Sequence, residues 1–159
     1  MPAFHPFHIG LALAAPASTA VYLGGTYAFS AVIFPVLHDR RITAETAHDT
    51  LKVILDHGPK TLAPVALIAA GLSAVATYYI PASARTAYAI GTAALGAIGA
   101  WTTWAILPLH TRVSILGKEE IRAHYLGTLA SRYQVRTLLA AVALGSQLYG
   151  FWTSRWIIV

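Results

Sequence analysis

Apolar residues fall in four long blocks separated by shorter polar stretches. No Asp, Glu, Lys or Arg occurs from Met1 to His38, from Thr61 to Ala84, from Thr86 to Thr111, or from Thr137 to Ser154. Runs of roughly 18 or more uncharged, apolar residues read as membrane spans, because ~20 helical residues cross ~30 Å of hydrocarbon. Inside hydrocarbon each segment must satisfy its own backbone polar groups, so these runs read as helices. The predicted fold class is all-α: a polytopic membrane four-helix bundle forming one transmembrane domain over residues 1–159. Its spans are expected at about 9–37, 61–80, 85–107 and 132–157, with loops at 38–60 and 108–131.

The punctuation supports these limits. Span one is longer than a bilayer requires, which tilt, a kink at Pro16 or an interfacial start would absorb. Pro59 and Pro64 fall in or near the first turn of span two and Pro81 closes it, while Pro108 stops span three. Ser131-Arg132-Tyr133-Gln134 reads as a capping box opening span four. Small residues four apart (Ala20 with Gly24, Gly96 with Ala100, Ala141 with Gly145, Ser146 with Gly150) are candidates for close helix contacts. Between Thr43 and His57, Ala44, Ala47, Leu51, Ile54 and Leu55 recur at helical spacing, and Gly58-Pro59 supplies a stop. The loop between spans one and two is therefore expected to hold an amphipathic helix of its own. Lys118 to Ala130 reads as a second, shorter one, broken at Gly127.

Composition narrows the class further. Of 159 residues, 57% are hydrophobic and only 11% charged, against roughly 25% charged in a soluble globular protein. The chain has no cysteine, which excludes disulfides, thiolate catalysis and cysteine-held metals or clusters. Lys and Arg are distributed unevenly. Nine of them (Arg40, Arg41, Lys52, Lys60, Arg112, Lys118, Arg122, Arg132 and Arg136) lie in or beside the two long loops, against Arg85 and Arg155 on the other side. The positive-inside rule then places the long loops in the cytosol and both termini outside or in a lumen. Aromatic belts agree: Tyr78, Tyr79, Tyr88, Trp152 and Trp156 on the terminal side, Trp101 and Trp104 toward the cytosolic one. The net charge of +5 is thus explained by membrane topology and lipid, and no nucleic-acid pattern accompanies it.

Candidate chemistry concentrates on the cytosolic side, which holds five of the seven histidines: His38, His48, His57, His110 and His124. His48 falls on the apolar stripe of the loop helix, beside Ala44, Leu51 and Leu55, and should face the bundle. His110 and His38 end spans three and one at the same depth. Only His5 and His8 have the spacing of a helical metal pair, so no metal site is assigned, although a His-bound metal remains open if the mouth histidines converge. Arg136 lies about one turn inside span four. It can snorkel to the interface, or face inward and pair with an anion or phenolate. All six acids (Asp39, Glu45, Asp49, Asp56, Glu119 and Glu120) lie in loops, which argues against a proton-coupled transporter needing a buried carboxylate.

Three motifs carry a resemblance. They are Pro35-Val36-Leu37 at the close of span one, Pro108-Leu109-His110 at the close of span three, and Tyr133-Gln134-Val135-Arg136 at the start of span four. In layout and in these motifs the chain resembles the anthrone oxygenase-type family of small four-span membrane proteins of aromatic polyketide pathways. It has Pro-Leu-His where that family usually shows Pro-Thr-Asn, and Leu129 and Tyr133 where members carry Trp and Asn or His. The resemblance implies a monooxygenase that converts an anthrone to an anthraquinone with O2 as co-substrate and no organic cofactor. The chemistry it implies needs a base, a cation for the phenolate or enolate, and an apolar aromatic pocket. His110 is the expected base, with His48 and His38 as the next choices, and Arg136 the anion stabiliser. Tyr133, Trp104 and Trp101 are expected to line the ring pocket, with Asp39 nearby at the mouth.

The same groups would serve a membrane cyclase, isomerase or epoxide hydrolase, with His and Asp39 as the acid–base pair. A non-catalytic carrier or assembly protein is the reading from another class. The partners expected are a lipophilic small molecule and membrane lipid, with no nucleic acid; a homo-oligomer is open.

Overall fold

A computed structural model of the chain describes residues 6–113, 117, 120 and 125–154. The described residues are helical apart from short turns and contain no strand. Four helices make up almost all of them: α1 Pro6–His38, α2 Ala44–Tyr79, α3 Ala82–Val113 and α4 Leu126–Thr153. The first three are long and apolar enough to cross a membrane. α4, which carries Arg132, Gln134, Arg136 and Gln147, is more polar. α1 packs along α2 and α4, and α3 packs along α2 and α4.

Several boundaries differ from expectation, each for a local reason. Gly58-Pro59 does not end a loop helix: residues 44–79 form one continuous helix with Pro59 and Pro64 inside it. The Thr61 hydroxyl donates to the carbonyls of His57 and Gly58, and Phe29 of α1 packs against Gly58. A local hydroxyl bond and packing from a neighbouring helix of this kind accompany a helix that continues past proline. The helix starts where expected, with the Thr43 hydroxyl accepting from the Thr46 amide at 3.2 Å. Ser131 caps nothing, because α4 already begins at Leu126, and its hydroxyl instead donates to Thr128 O. Gly127 lies within the first turn of α4. Most of the expected second loop helix, together with His5, Lys118, Glu119, Arg122, His124, Arg155 and Trp156, lies outside the described residues.

Pro108 does not stop α3 either. Both α1 and α3 contain a stretch of wide, π-helical turns: Ala28–Ile33, closed by the Phe34 amide on Phe29 O, and Thr102–Ile106, closed by the Leu107 amide on Thr102 O. In a regular α-helix the ring of a proline clashes with the carbonyl four residues earlier. For Pro35 that residue is Ala31, and for Pro108 it is Trp104, and each sits inside the π stretch. Widening the turn at that point lets the helix pass its proline, and π turns of this kind cluster at functional sites.

The core forms three layers along the helix axes. Leu11, Ala12, Ala15, Ala76, Ile80, Ala84 and Tyr88 fill the layer at the 80–84 turn. Tyr22, Ala69, Leu95, Ile98 and Ala140 fill the middle, and Phe34, Leu37, Leu51, Ile106, Leu129 and Tyr133 fill the far layer. Tyr88, expected in an interfacial belt, is instead fully buried and donates to Ala12 O at 2.8 Å. A buried hydroxyl must find an acceptor, and this one ties α3 to α1. A second polar link joins Gln147 Nε2 to Ser73 Oγ (3.0 Å), which also accepts from Thr92 (2.9 Å).

Of the small-residue pairs, Ser146 with Gly150 lies at a close contact, whereas Gly24, Gly96 and Gly145 face open space. A further close α3–α4 approach is at Gly91, where a Cβ would lie 2.9 Å from Gln147 Cγ and 3.2 Å from the Ala143 carbonyl. Because one obstacle is backbone, Gly91→Val must push the helices apart. It is expected to lower stability by about 1–3 kcal/mol, measured as a lower Tm in detergent, whereas Gly96→Ala should leave Tm unchanged.

Candidate functional site

The site is built around Arg136. Nearly three turns into α4, its side chain points inward and is only 8% exposed. Arginine stays protonated in proteins, so burying it demands partners. Among the described residues none of its ion-pair partners is a carboxylate. The guanidinium instead donates twice to one phenol oxygen, Tyr22 Oη on α1, at 2.7 Å from Nη2 and 3.2 Å from Nε. Its Cζ also lies 5.0 Å from the ring centroid of Tyr133 and 5.7 Å from that of Tyr22. These cation–π contacts spread the charge over apolar surface without cancelling it.

Tyr133, one turn before Arg136, is held between α1 and α3. Its ring packs on Phe34 (5.0 Å between centroids) and Phe29 (6.0 Å), and its hydroxyl lies 3.4 Å from Nε2 of His110. His110 stands on the turn of α3 after Pro108 and is half-buried. Tyr22, Arg136, Tyr133 and His110 thus form one connected polar wall contributed by three helices.

That wall faces a cavity of about 370 Å³, within the range of roughly 300–1,000 Å³ usual for small-molecule sites. The remaining lining is apolar: Phe29, Leu62, Ala66, Leu95 and Ile98 are representative. A second, more open chamber of about 580 Å³ borders His110, lined by Leu55, Leu107 and Val113 together with Lys52, Asp56, Lys60 and Thr111. His110 and Pro59 line both spaces. The imidazole therefore stands between the cavity and a more open, largely apolar space that also carries charged side chains. A neutral imidazole there can take a proton from one side and release it to the other.

Of the residues singled out from the sequence, three converge: His110, Arg136 and Tyr133. The others do not. His48 is buried, as its place on the apolar stripe implies, but its Nδ1 pairs with Asp49 Oδ1 at 3.2 Å and it does not line the cavity. His38 and Asp39 are exposed at the end of α1, where Asp39 Oδ1 accepts from the Arg41 amide. The His–Asp39 acid–base pair is therefore not assembled at the cavity. Trp101 donates to Arg132 O at 3.1 Å, and Trp104 is 77% exposed; neither lines the cavity. Among the described residues no three His, Asp or Glu side chains gather as a metal-ligand set.

Two aromatic lining residues were not singled out from sequence, Tyr22 and Phe29. Tyr22 carried a usable signal: a hydroxyl deep in an uncharged run needs a partner, and the one deep cation of span four needs an acceptor. Phe29 carried none, since one Phe in an apolar run is indistinguishable from core. In comparisons with known proteins, no family model matches the chain, and no curated protein or solved structure is similar to it.

Tyr22→Phe removes the acceptor of two guanidinium N–H groups while keeping the ring. It is expected to cost about 1–3 kcal/mol, seen as a lowered Tm in detergent. In the Arg136→Met background the same change should cost much less, and additivity of the two would show that the pair is not coupled.

Proposed function

We propose that this chain is an integral membrane enzyme whose four helices form a four-span bundle. In this reading α4 is the fourth span, its arginines buried against partner helices or near the surface. The asymmetry of nine basic residues against two puts the long loops in the cytosol. The substrate is a lipophilic, planar aromatic compound with an acidic C–H or hydroxyl, and the reaction is an anthrone oxygenase-like monooxygenation with O2 as co-substrate.

One observation carries the reading: Arg136, buried and satisfied by a phenol oxygen in place of a carboxylate, lies on the same cavity wall as His110. An uncancelled guanidinium in an apolar chamber favours whatever negative charge develops beside it. His110 takes a proton from the substrate methylene, and the resulting enolate is held by Arg136, with Tyr22 and Tyr133 fixing the guanidinium. The enolate gives one electron to O2, and the radical pair combines to a carbon-bound hydroperoxide, which takes up a proton. Loss of water from the hydroperoxide leaves the new carbonyl. One O2 is consumed; one of its oxygen atoms enters the product and the other leaves as water with the two methylene hydrogens.

The purified protein in phosphatidylcholine vesicles under air should convert anthrone to anthraquinone faster than the vesicles alone, followed by absorbance. His110→Ala and Arg136→Gln should each lower that rate by roughly 10²–10⁴-fold, and Trp104→Ala, which lies outside the cavity, should not change it. A wild-type rate equal to background sinks the oxygenase reading. Binding of anthrone without turnover would make the protein a carrier.

A further inference from the structure

The cavity has a side as well as a mouth. Between α2 and α3 its wall consists of Ala63, Ala66 and Leu67 on one helix and Gly96, Gly99 and Thr103 on the other. All of these except Ala66 are exposed on the outer surface of the helices, and a Cβ built on Gly96 or Gly99 meets nothing within 4 Å. The wall is therefore thin and its outer face uncovered. These positions lie in the uncharged stretches 61–84 and 86–111. The more open second chamber, where Lys52, Asp56 and Lys60 lie among Leu55, Leu107 and Val113, borders the cavity at a different place, at His110 and Pro59.

We propose that the gap between α2 and α3 is a lateral window through which a planar aromatic ligand dissolved in the bilayer reaches Arg136, while the chamber beyond His110 serves water and protons only. This rests on the reading that the cavity binds lipophilic phenols or enols. A polycyclic ligand with one acidic hydroxyl fits both ends of such a path. Its rings slide past Gly96 and Gly99, which offer no side chain to displace, and its hydroxyl ends at the single cation of the wall. A charged or strongly hydrated ligand would have to shed its water to enter the bilayer before it could use the window. Gly99 and Gly96 are thus the residues that set which shapes gain access.

The absence of cysteine makes the test clean. Gly99→Cys and Thr111→Cys are made separately, reconstituted in phosphatidylcholine vesicles, and labelled with a nitroxide. The label at Gly99→Cys should relax strongly with O2 and weakly with a water-soluble nickel chelate; the label at Thr111→Cys should show the opposite preference. Uptake of 1-hydroxypyrene preloaded in the vesicles is then followed by its fluorescence before and after coupling N-phenylmaleimide to each cysteine. Coupling at Gly99→Cys should slow uptake about tenfold or more, and coupling at Thr111→Cys should not. Nickel access at Gly99→Cys, or slowing only at Thr111→Cys, overturns the window while leaving the binding reading intact. No binding of 1-hydroxypyrene by the unmodified protein, with Gly99→Cys still facing lipid, overturns the binding reading and the window's role together.

Discussion

A guanidinium that cannot shed its proton has been placed in a largely buried, apolar site, and the rest of the arrangement answers to it. Arg136 needs oxygen acceptors and polarisable surface, and it obtains them from Tyr22 on α1 and from the faces of Tyr22 and Tyr133. Those contacts fix the register of α1 against α4. They also leave the charge dispersed, because a phenol oxygen is a far weaker counter-ion than a carboxylate. Fold stability and the proposed chemistry therefore draw on the same group. A carboxylate beside Arg136 would hold it more firmly and make the cavity indifferent to a second anion.

The two π stretches explain how helices that carry mid-segment prolines can still line a cavity. Each takes in an extra residue per turn immediately before its proline. Phe29, Thr102 and Thr103, three of the cavity residues, come from these wide turns. The extra residue also turns everything beyond it by about 100° around the helix axis. His110, beyond the stretch in α3, shares that rotation and lies beside the Tyr133 hydroxyl, whereas Trp104, inside the stretch, is exposed. At the opposite end of the molecule the helices approach closely at Gly91 and Gly150. The cavity lies toward the end that carries the π stretches, where His110 borders the second chamber.

What the order of residues determines here is the set of helices and the identity of the deep polar groups. Uncharged apolar runs can only be helical in hydrocarbon, and a lone Arg one turn inside such a run, near a Tyr and a Pro-x-His, stands out without coordinates. His110, Arg136 and Tyr133 were legible for that reason, and the inward face of His48 followed from simple periodicity. Trp104 was misplaced because a regular 3.6-residue period assigns faces only while the helix stays regular, and it lies inside a π stretch; Trp101 turns its indole to Arg132 O, and Tyr88 satisfies its hydroxyl on a distant carbonyl. Gly58-Pro59 and Pro108 read as stops, since local rules hold only until neighbouring helices supply what proline removes. Which tyrosine meets Arg136, that Asp39 lies away from the cavity, and that Gly96 and Gly99 border open space while Gly91 does not are matters of helix phase and pairing. Those depend on contacts between residues more than a hundred positions apart, such as Tyr22 with Arg136, and only the tertiary structure decides them.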